Sequence, residues 1–182
     1  MFSNEYHKNN NTDTATGKNN KLFFQPKLTI NQPNDVYEQE ANTVADKITQ
    51  QDNFKLNTFF KPTAIQRKQD DNEQGNASPQ TENYISNLSG GNALTSNEKS
   101  FFESRLGYDF SNVRIHTNSS ADQSAKSINA LAYTSGNNIV FASNQYKPGT
   151  PEGNKLLAHE LTHVIQQSNS TSSLQTIQRD IA

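Results

Sequence analysis

Two histidines and a glutamate in the last quarter of the chain have the residue types and spacing of a metal-dependent hydrolase site. They are His159, Glu160 and His163, in the run LLAHELTHVIQQ, whose apolar residues recur with helical periodicity. Residues four apart lie one above the other on a helix, so both imidazoles can reach one metal ion while Glu160 projects beside them. The spacing predicts a Zn²⁺ site with an adjacent base. The simpler alternative is an amphipathic helix with two surface histidines.

A catalytic zinc site requires a third protein ligand, which these residues do not supply. The chain has no cysteine, so the ligand must be a histidine or a carboxylate. Gln166 and Asn169 stand where the metzincin pattern has glycine and a third histidine, and Asp180 is the only carboxylate side chain after Glu160. The third ligand is therefore expected upstream of the helix.

His116 is the best upstream candidate for the third zinc ligand. The only other histidine, His7, lies in a polar N-terminal segment. Alternation in NVRIHT predicts a short strand that places His116 on the face opposite its apolar neighbours. Carboxylates that could replace it are Asp109 and Asp122.

The expected chemistry of such a site is peptide hydrolysis. Bound zinc lowers the pKa of a water ligand towards neutrality, and Glu160 would accept the proton as this water attacks a carbonyl. A hydrogen-bond donor is then needed for the developing oxyanion. Tyr146 in the loop NQYKPGT is the stronger candidate donor, because loops often carry functional groups, whereas Tyr133 is expected to pack in the core.

Composition excludes several other functions. Only 31% of the residues are hydrophobic and the mean hydropathy is -0.91, so part of the chain is expected to remain unpacked. A net charge of -2 without a basic block gives no reason to expect nucleic acid or an anionic membrane as a partner. There is no apolar signal-peptide core at the N-terminus and no run of about 18 apolar residues, so neither Sec export nor a membrane span is expected.

The sequence divides into five parts. They are a disordered tail at 1–20, an N-terminal arm with a helix at 21–60, a linker at 61–80, a core domain at 81–170 and a C-terminal tail at 171–182. In the arm, a helix is expected to begin at Asp35, where Asp35 and Glu38 have capping-box spacing. Its predicted apolar stripe is Val36, Tyr37, Ala41, Val44, Ala45 and Ile48.

Local signals in the core domain predict an α+β fold. The predicted features, in chain order, are a short helix before Gly90, a capping box at Thr95 and Glu98, a helix stop at Gly107, a helix over 120–129, a hairpin around Gly136, and a helix start at Thr150 and Pro151. The expected architecture is a helix-rich, zincin-like domain with a small β-sheet or hairpin and a long HExxH helix.

One tripeptide occurs twice. Ile65-Gln66-Arg67 recurs as Ile177-Gln178-Arg179, each time in a polar segment. The repeat is either a coincidence of common loop residues or a pair of processing sites.

Several long segments resemble the extracellular contractile injection system core domain family, which has been described as a candidate metallopeptidase. The resemblance is carried by FFESRLGYDFSNVRIHT, by AYTSGNNIVFASNQYKPGTPEGNKLLAHELTHVIQQ, and by QPKLTI with DVYEQEANTVAD in the arm. The family pattern includes residues that fall on Arg114, His116 and Tyr146. This chain departs from the family pattern at two positions. Members often have aspartate where this chain has Asn42, and they have another hydrophobic residue where it has Tyr133.

The resemblance implies a zinc-dependent endopeptidase of a phage-tail-like injection particle that processes protein cargo or helps to load it. It would be made in the bacterial cytoplasm and exported with or inside the particle. The polar linker and the repeated tripeptide give a separate expectation, self-cleavage at Gln66-Arg67 or a nearby bond that releases an arm lying across the active-site cleft. The alternative is a non-catalytic module that docks on the particle or its cargo and has a structural or vestigial zinc site.

Overall fold

The structure, a computed structural model, describes residues 29–30, 35–50, 79–169 and 176–181. Within these ranges the elements are β1 (Thr29–Ile30), α1 (Val36–Gln50), α2 (Pro79–Ser86), α3 (Ser96–Leu106), β2 (Arg114–His116), α4 (Ser119–Ser127), β3 (Ala130–Ser135), β4 (Asn138–Phe141), α5 (Pro151–Asn169) and β5 (Thr176–Ile181). The predicted α+β class is confirmed. The expected tail at 1–20 and nearly all of the expected linker at 61–80 lie outside the described residues.

The strands form one sheet in the order β1-β5-β3-β4-β2. The predicted hairpin is β3 and β4, which pair antiparallel with Ser135 opposite Asn138, and Gly136 in the turn has a φ of 57°. The predicted strand with His116 is β2, which runs parallel to β4. The sheet is larger than the sequence suggested, because part of the expected C-terminal tail forms β5 and pairs antiparallel with β3.

Helix boundaries follow the capping signals in the sequence. Both hydrogen bonds of the Thr95 and Glu98 capping box are present, and Gly107 ends α3 in the left-handed conformation. At the start of α5, the Thr150 hydroxyl accepts a hydrogen bond of 3.1 Å from the Gly153 N–H. Position 153 requires glycine, because a Cβ atom there would lie 1.9 Å from the Lys147 carbonyl oxygen.

Helix α1 begins where expected, but its capping differs from the expectation. The Asp35 carboxylate accepts the Glu38 N–H at 2.9 Å, which is one half of a capping box. The Glu38 side chain instead points towards α5. The buried apolar face is Ala41, Val44, Ala45 and Ile48, whereas Val36 and Tyr37, which the stripe included, are 60% and 36% exposed.

The sheet separates two apolar clusters. One contains residues of α1, α3 and α5 packed on one face, and the other contains residues of α4, with α2 against it. Tyr133 is fully buried in the second cluster, and its hydroxyl lies 2.7 Å from Ser124 Oγ, as its expected core role requires. Helix α5 is thus held between α1 and the sheet, and this arrangement fixes the direction in which its histidines point.

Candidate metal centre

The two motif histidines of α5 face helix α1. The His159 and His163 side chains are 2% and 0% exposed. Their Nε2 atoms are 2.9 Å apart, and their rings meet edge to face at 85°. Glu38 of α1 completes the cluster, with Oε2 at 3.2 Å from His159 Nε2 and Oε1 at 3.3 Å from His163 Nε2. Among the described residues, these three form the group of side chains that could hold a metal ion.

Gln166 determines which ring nitrogen of His163 carries the proton. The Gln166 amide Nε2 donates to the Tyr37 carbonyl oxygen at 3.1 Å and to Glu40 Oε2 at 2.9 Å. The remaining amide atom, Oε1, can only accept, and it lies 2.7 Å from His163 Nδ1. His163 Nδ1 must therefore be the donor in this contact, and Nε2 is the ring nitrogen that faces the cluster.

Asn42 has the same relation to the other histidine. Asn42 Oδ1 lies 3.1 Å from His159 Nδ1, which makes Nδ1 the donor and places His159 Nε2 towards Glu38 and His163. The two Nε2 atoms then lie 2.9 Å apart, and each lies within 3.3 Å of one of the two Glu38 carboxylate oxygens. Such a group of acceptors repels itself unless a proton or a cation lies among them.

The donor set and its dimensions suit zinc. Zinc binds histidine nitrogen at about 2.0–2.1 Å, so tetrahedral ligands lie roughly 3.3 Å from one another. The separations of 2.9 to 3.3 Å in this cluster are close to that spacing. Glu38 Oε1 is buried and makes no hydrogen bond of good geometry in the described part of the chain. A buried oxygen without a hydrogen bond needs another partner, and a bound metal ion would be one.

The Glu38 carboxylate is ionised in this environment. Burial alone raises its pKa, but the His159 and His163 rings, which in their protonated forms supply hydrogen bonds and positive charge, outweigh burial and lower the pKa to about 2. A metal ligand must be deprotonated, so the cluster already holds this carboxylate in the form that binds a cation.

Truncating Asn42 to alanine is expected to weaken zinc binding by roughly 10-fold, the lower range for losing a partner that orients a ligand histidine. Asn42 is exposed, so the fold should tolerate the change. Competition titration with a chromogenic chelator measures the affinity. Thr43→Ala, also exposed on α1, is the matched control. Equal affinities for the two variants would contradict the orienting role.

The structure does not bring His116 to this cluster. His116 is buried in β2, with Nε2 at 3.0 Å from Asn138 Oδ1, and its ring packs against Gly91. The position that the sequence suggested for His116 is taken by Glu38. The carboxylates considered as alternatives, Asp109 and Asp122, bind Ser111, Lys126 and Ser143 and are also outside the cluster.

Glu160 points to the sheet. Its carboxylate Oε2 accepts a hydrogen bond of 2.6 Å from Thr134 Oγ1 on β3, and both side chains are fully buried. The hydroxyl of Tyr146, the other expected catalytic group, donates to Glu98 Oε1 at 2.6 Å. Burial, reinforced by the Glu98 hydrogen bond and charge, raises the pKa of Tyr146, so this phenol stays protonated.

A pocket of about 230 Å³ lies beside His159 of the cluster. Its lining includes Asn42 of α1, and Lys147, Glu152 and Lys155 at and near the start of α5. Lys155 is paired with Asp46 of α1 at 2.6 Å. The pocket is thus lined by both α1 and α5.

Glu38 is the site residue that sequence reasoning missed. In the sequence, the capping-box spacing from Asp35 already gave Glu38 a role at the helix start. No motif connects Glu38 with His159, which is 121 residues further along the chain. One signal was available. Glu38 lies three and seven residues before Ala41 and Ala45, on the same helical face, and a carboxylate on a buried face requires a partner.

Comparison with known proteins identifies the class of this domain. Residues 93–171 match the model of the family described as the eCIS core domain, and this segment is therefore similar to that family. The resemblance seen in the sequence is confirmed, and it gives the chain a contractile injection particle context. No curated protein and no solved structure matches. None of the helices described is both long and apolar enough to cross a membrane.

Proposed function

We propose that this protein is a zinc-dependent endopeptidase of a contractile injection system that processes protein cargo or helps to load it. The observation that carries the proposal is the convergence of Glu38, His159 and His163, with outer hydrogen bonds at both Nδ1 atoms that turn the Nε2 atoms towards one another and towards Glu38. Glu38 replaces His116 as the proposed third ligand. When bound, zinc would supply Lewis acidity for hydrolysis of a peptide bond.

The proposed base is Glu160. Thr134 donates a hydrogen bond to its carboxylate, and this contact fixes the carboxylate on the sheet side of α5. Glu160 is fully buried, so it can accept a proton from water only if the site opens to solvent. Tyr146 stays a proposed oxyanion donor, and it would first have to leave Glu98.

The closed site suggests a latent form of the enzyme. Helix α1 belongs to the arm that was expected to lie across the cleft, and it covers the histidines so that at most 2% of either side chain is exposed. Cleavage after Gln66 or Arg67 would separate α1 from the core domain in sequence. The intact mass of the chain, followed over time with zinc and with a chelator, tests self-processing. A chain that stays uncut with zinc would contradict it.

Replacing Glu160 with glutamine is expected to lower peptidase activity at least about 100-fold, the lower range for loss of a general base. Zinc content should stay at the wild-type value, because Glu160 is not in the metal cluster. Hydrolysis of fluorescein-labelled casein and the metal-to-protein ratio are the two measurements. Asp109→Asn, at an exposed carboxylate outside both the metal cluster and the pocket, is the matched control. Equal cleavage by both variants would contradict the proposed base.

The same burial favours a second candidate, the non-catalytic docking module. A structural zinc site is closed, whereas a catalytic site keeps an open position. In this case Glu160→Gln would leave association with the injection particle unchanged, and wild-type protein would not cleave casein with or without its arm. Glu38→Gln would release α1 and reduce co-purification with the particle.

A further inference from the structure

The sheet provides an attachment site for an extended peptide at one edge of β3. One edge of β3 pairs with β4, and the other edge pairs with β5. In this pairing Gln178 lies opposite Thr134, Arg179 opposite Tyr133, and Asp180 opposite Ala132. Added strands of this kind are bound through backbone hydrogen bonds, so one strand can replace another of suitable sequence.

The residues that β5 places on β3 belong to the repeated tripeptide. Ile177-Gln178-Arg179 lies within β5, and the other copy is Ile65-Gln66-Arg67. Aligning the two copies places Gln66 opposite Thr134 and Lys68 opposite Ala132. Neither copy contains proline, and both begin with a β-branched residue that favours strands.

The chain can bring the other copy to β3. Ile65 is connected to the end of α1 at Gln50, and Arg67 to the start of α2 at Pro79. Extended, these connections span about 50 Å and about 40 Å, which exceeds the diameter of a domain of this size. Both connections are therefore long enough for this copy of the tripeptide to reach the sheet.

We propose that the β5 edge of β3 is a docking site for Ile-Gln-Arg segments, and that Ile65-Gln66-Arg67 of the same chain exchanges with β5 on it. The exchange also frees the N-terminal strand, because β1 pairs in parallel with β5, Thr29 opposite Thr176 and Ile30 opposite Ile177. Docking of one copy of the tripeptide thereby releases both the C-terminal strand and β1. This inference does not depend on the proposed peptidase.

Engineered disulfides test the register, because the natural chain has no cysteine. Opposed residues of antiparallel strands have Cα atoms about 4.5–5.5 Å apart, within disulfide range. Ala132→Cys with Asp180→Cys traps β5, and Ala132→Cys with Lys68→Cys traps the other copy. Ala132→Cys with Gln69→Cys is the control, because Gln69 is one residue out of register. After mild oxidation, mass spectrometry gives the yield and shows whether each bond joins one chain or two.

We expect the Lys68 pair to give at least threefold more intrachain disulfide than the Gln69 pair. Adding Gln178→Pro, which disrupts β5, should increase the Lys68 yield, whereas Ser173→Pro, outside β5, should not. Equal Lys68 and Gln69 yields would overturn the proposal. Disulfides only between two chains would overturn it as well, because the occupant would then be a second copy.

A peptide measurement avoids the buried cysteine at position 132. The full chain carrying both Gln178→Pro and Gln66→Pro, so that neither of its own copies can pair with β3, is titrated with a fluorescent KPTAIQRKQD peptide and with a scrambled peptide of the same composition. We expect the native order to bind at least 10-fold more tightly by fluorescence anisotropy, and more tightly than it binds the chain without the two prolines. Equal binding of the two peptides would overturn the proposal.

Discussion

Replacing Glu38 with glutamine is expected to lower zinc affinity roughly 1,000-fold, since loss of a direct ligand must exceed the 10–100-fold effect of changing a partner that only orients one. The side chain keeps its size, and its two oxygens, now at 3.2 and 3.3 Å from the histidine nitrogens, are replaced by a neutral amide. The change in zinc affinity therefore reports the loss of the negative charge, because the packing of α1 on α5 is retained.

The matched comparison is His116→Gln, which removes the ligand that the sequence favoured. Because His116 binds Asn138 outside the cluster, we expect its replacement to leave zinc affinity within about threefold of the wild type. Chelator competition at constant pH measures the zinc affinity of the wild type, Glu38→Gln and His116→Gln. A large loss for His116→Gln together with a small loss for Glu38→Gln would reverse the ligand assignment.

Withdrawing zinc is expected to destabilise the protein by about 4 kcal/mol when free zinc had been held at roughly 1,000 times its Kd. The reason is that the ligands come together only in the folded chain, and without a cation the Nε2 atoms of His159 and His163 face Glu38 at close range. For a chain of this size the melting temperature should fall by roughly 10 °C.

Differential scanning calorimetry with zinc and with excess chelator measures this shift. Glu38→Gln supplies the control, because a chain that binds zinc weakly should melt at nearly the same temperature in both conditions. Calcium cannot replace zinc if imidazole nitrogen provides two of the ligands, so its addition should not restore stability. An unchanged wild-type melting temperature would contradict a metal centre at Glu38, His159 and His163.

The elements of this fold with strong local signals could be predicted from the sequence. Two helix starts are of this kind. The side chains of Thr95 and Thr150 accept hydrogen bonds from backbone N–H groups within the same helical turn, so a few neighbouring residues are enough to predict where α3 and α5 begin. The β3 and β4 hairpin is equally local, because its register follows from the turn at Gly136. Strand β5 could not be found in this way, since its pairing with β3 joins residues more than 40 positions apart.

The residues of the candidate site also differ in whether local sequence could predict their contacts. His159 and His163 are related by the geometry of one helix, so their proximity could be predicted from spacing alone. Glu38 reaches them only through the packing of α1 on α5, which depends on the apolar face of each helix. The contact between Thr134 and Glu160 also joins a strand to a helix, and nothing in either local sequence indicates it.

Glu38 and the histidines come from different parts of the protein. The histidines lie within residues 93–171, the segment similar to the eCIS core domain family, and Glu38 lies outside it, 121 residues before His159. A zinc ion held by all three would be a cross-link that closes this long loop and limits the unfolded chain, as a disulfide does. In a chain without cysteine, the arm would then be fastened to the domain by a bond that metal supply controls and that reducing conditions leave intact.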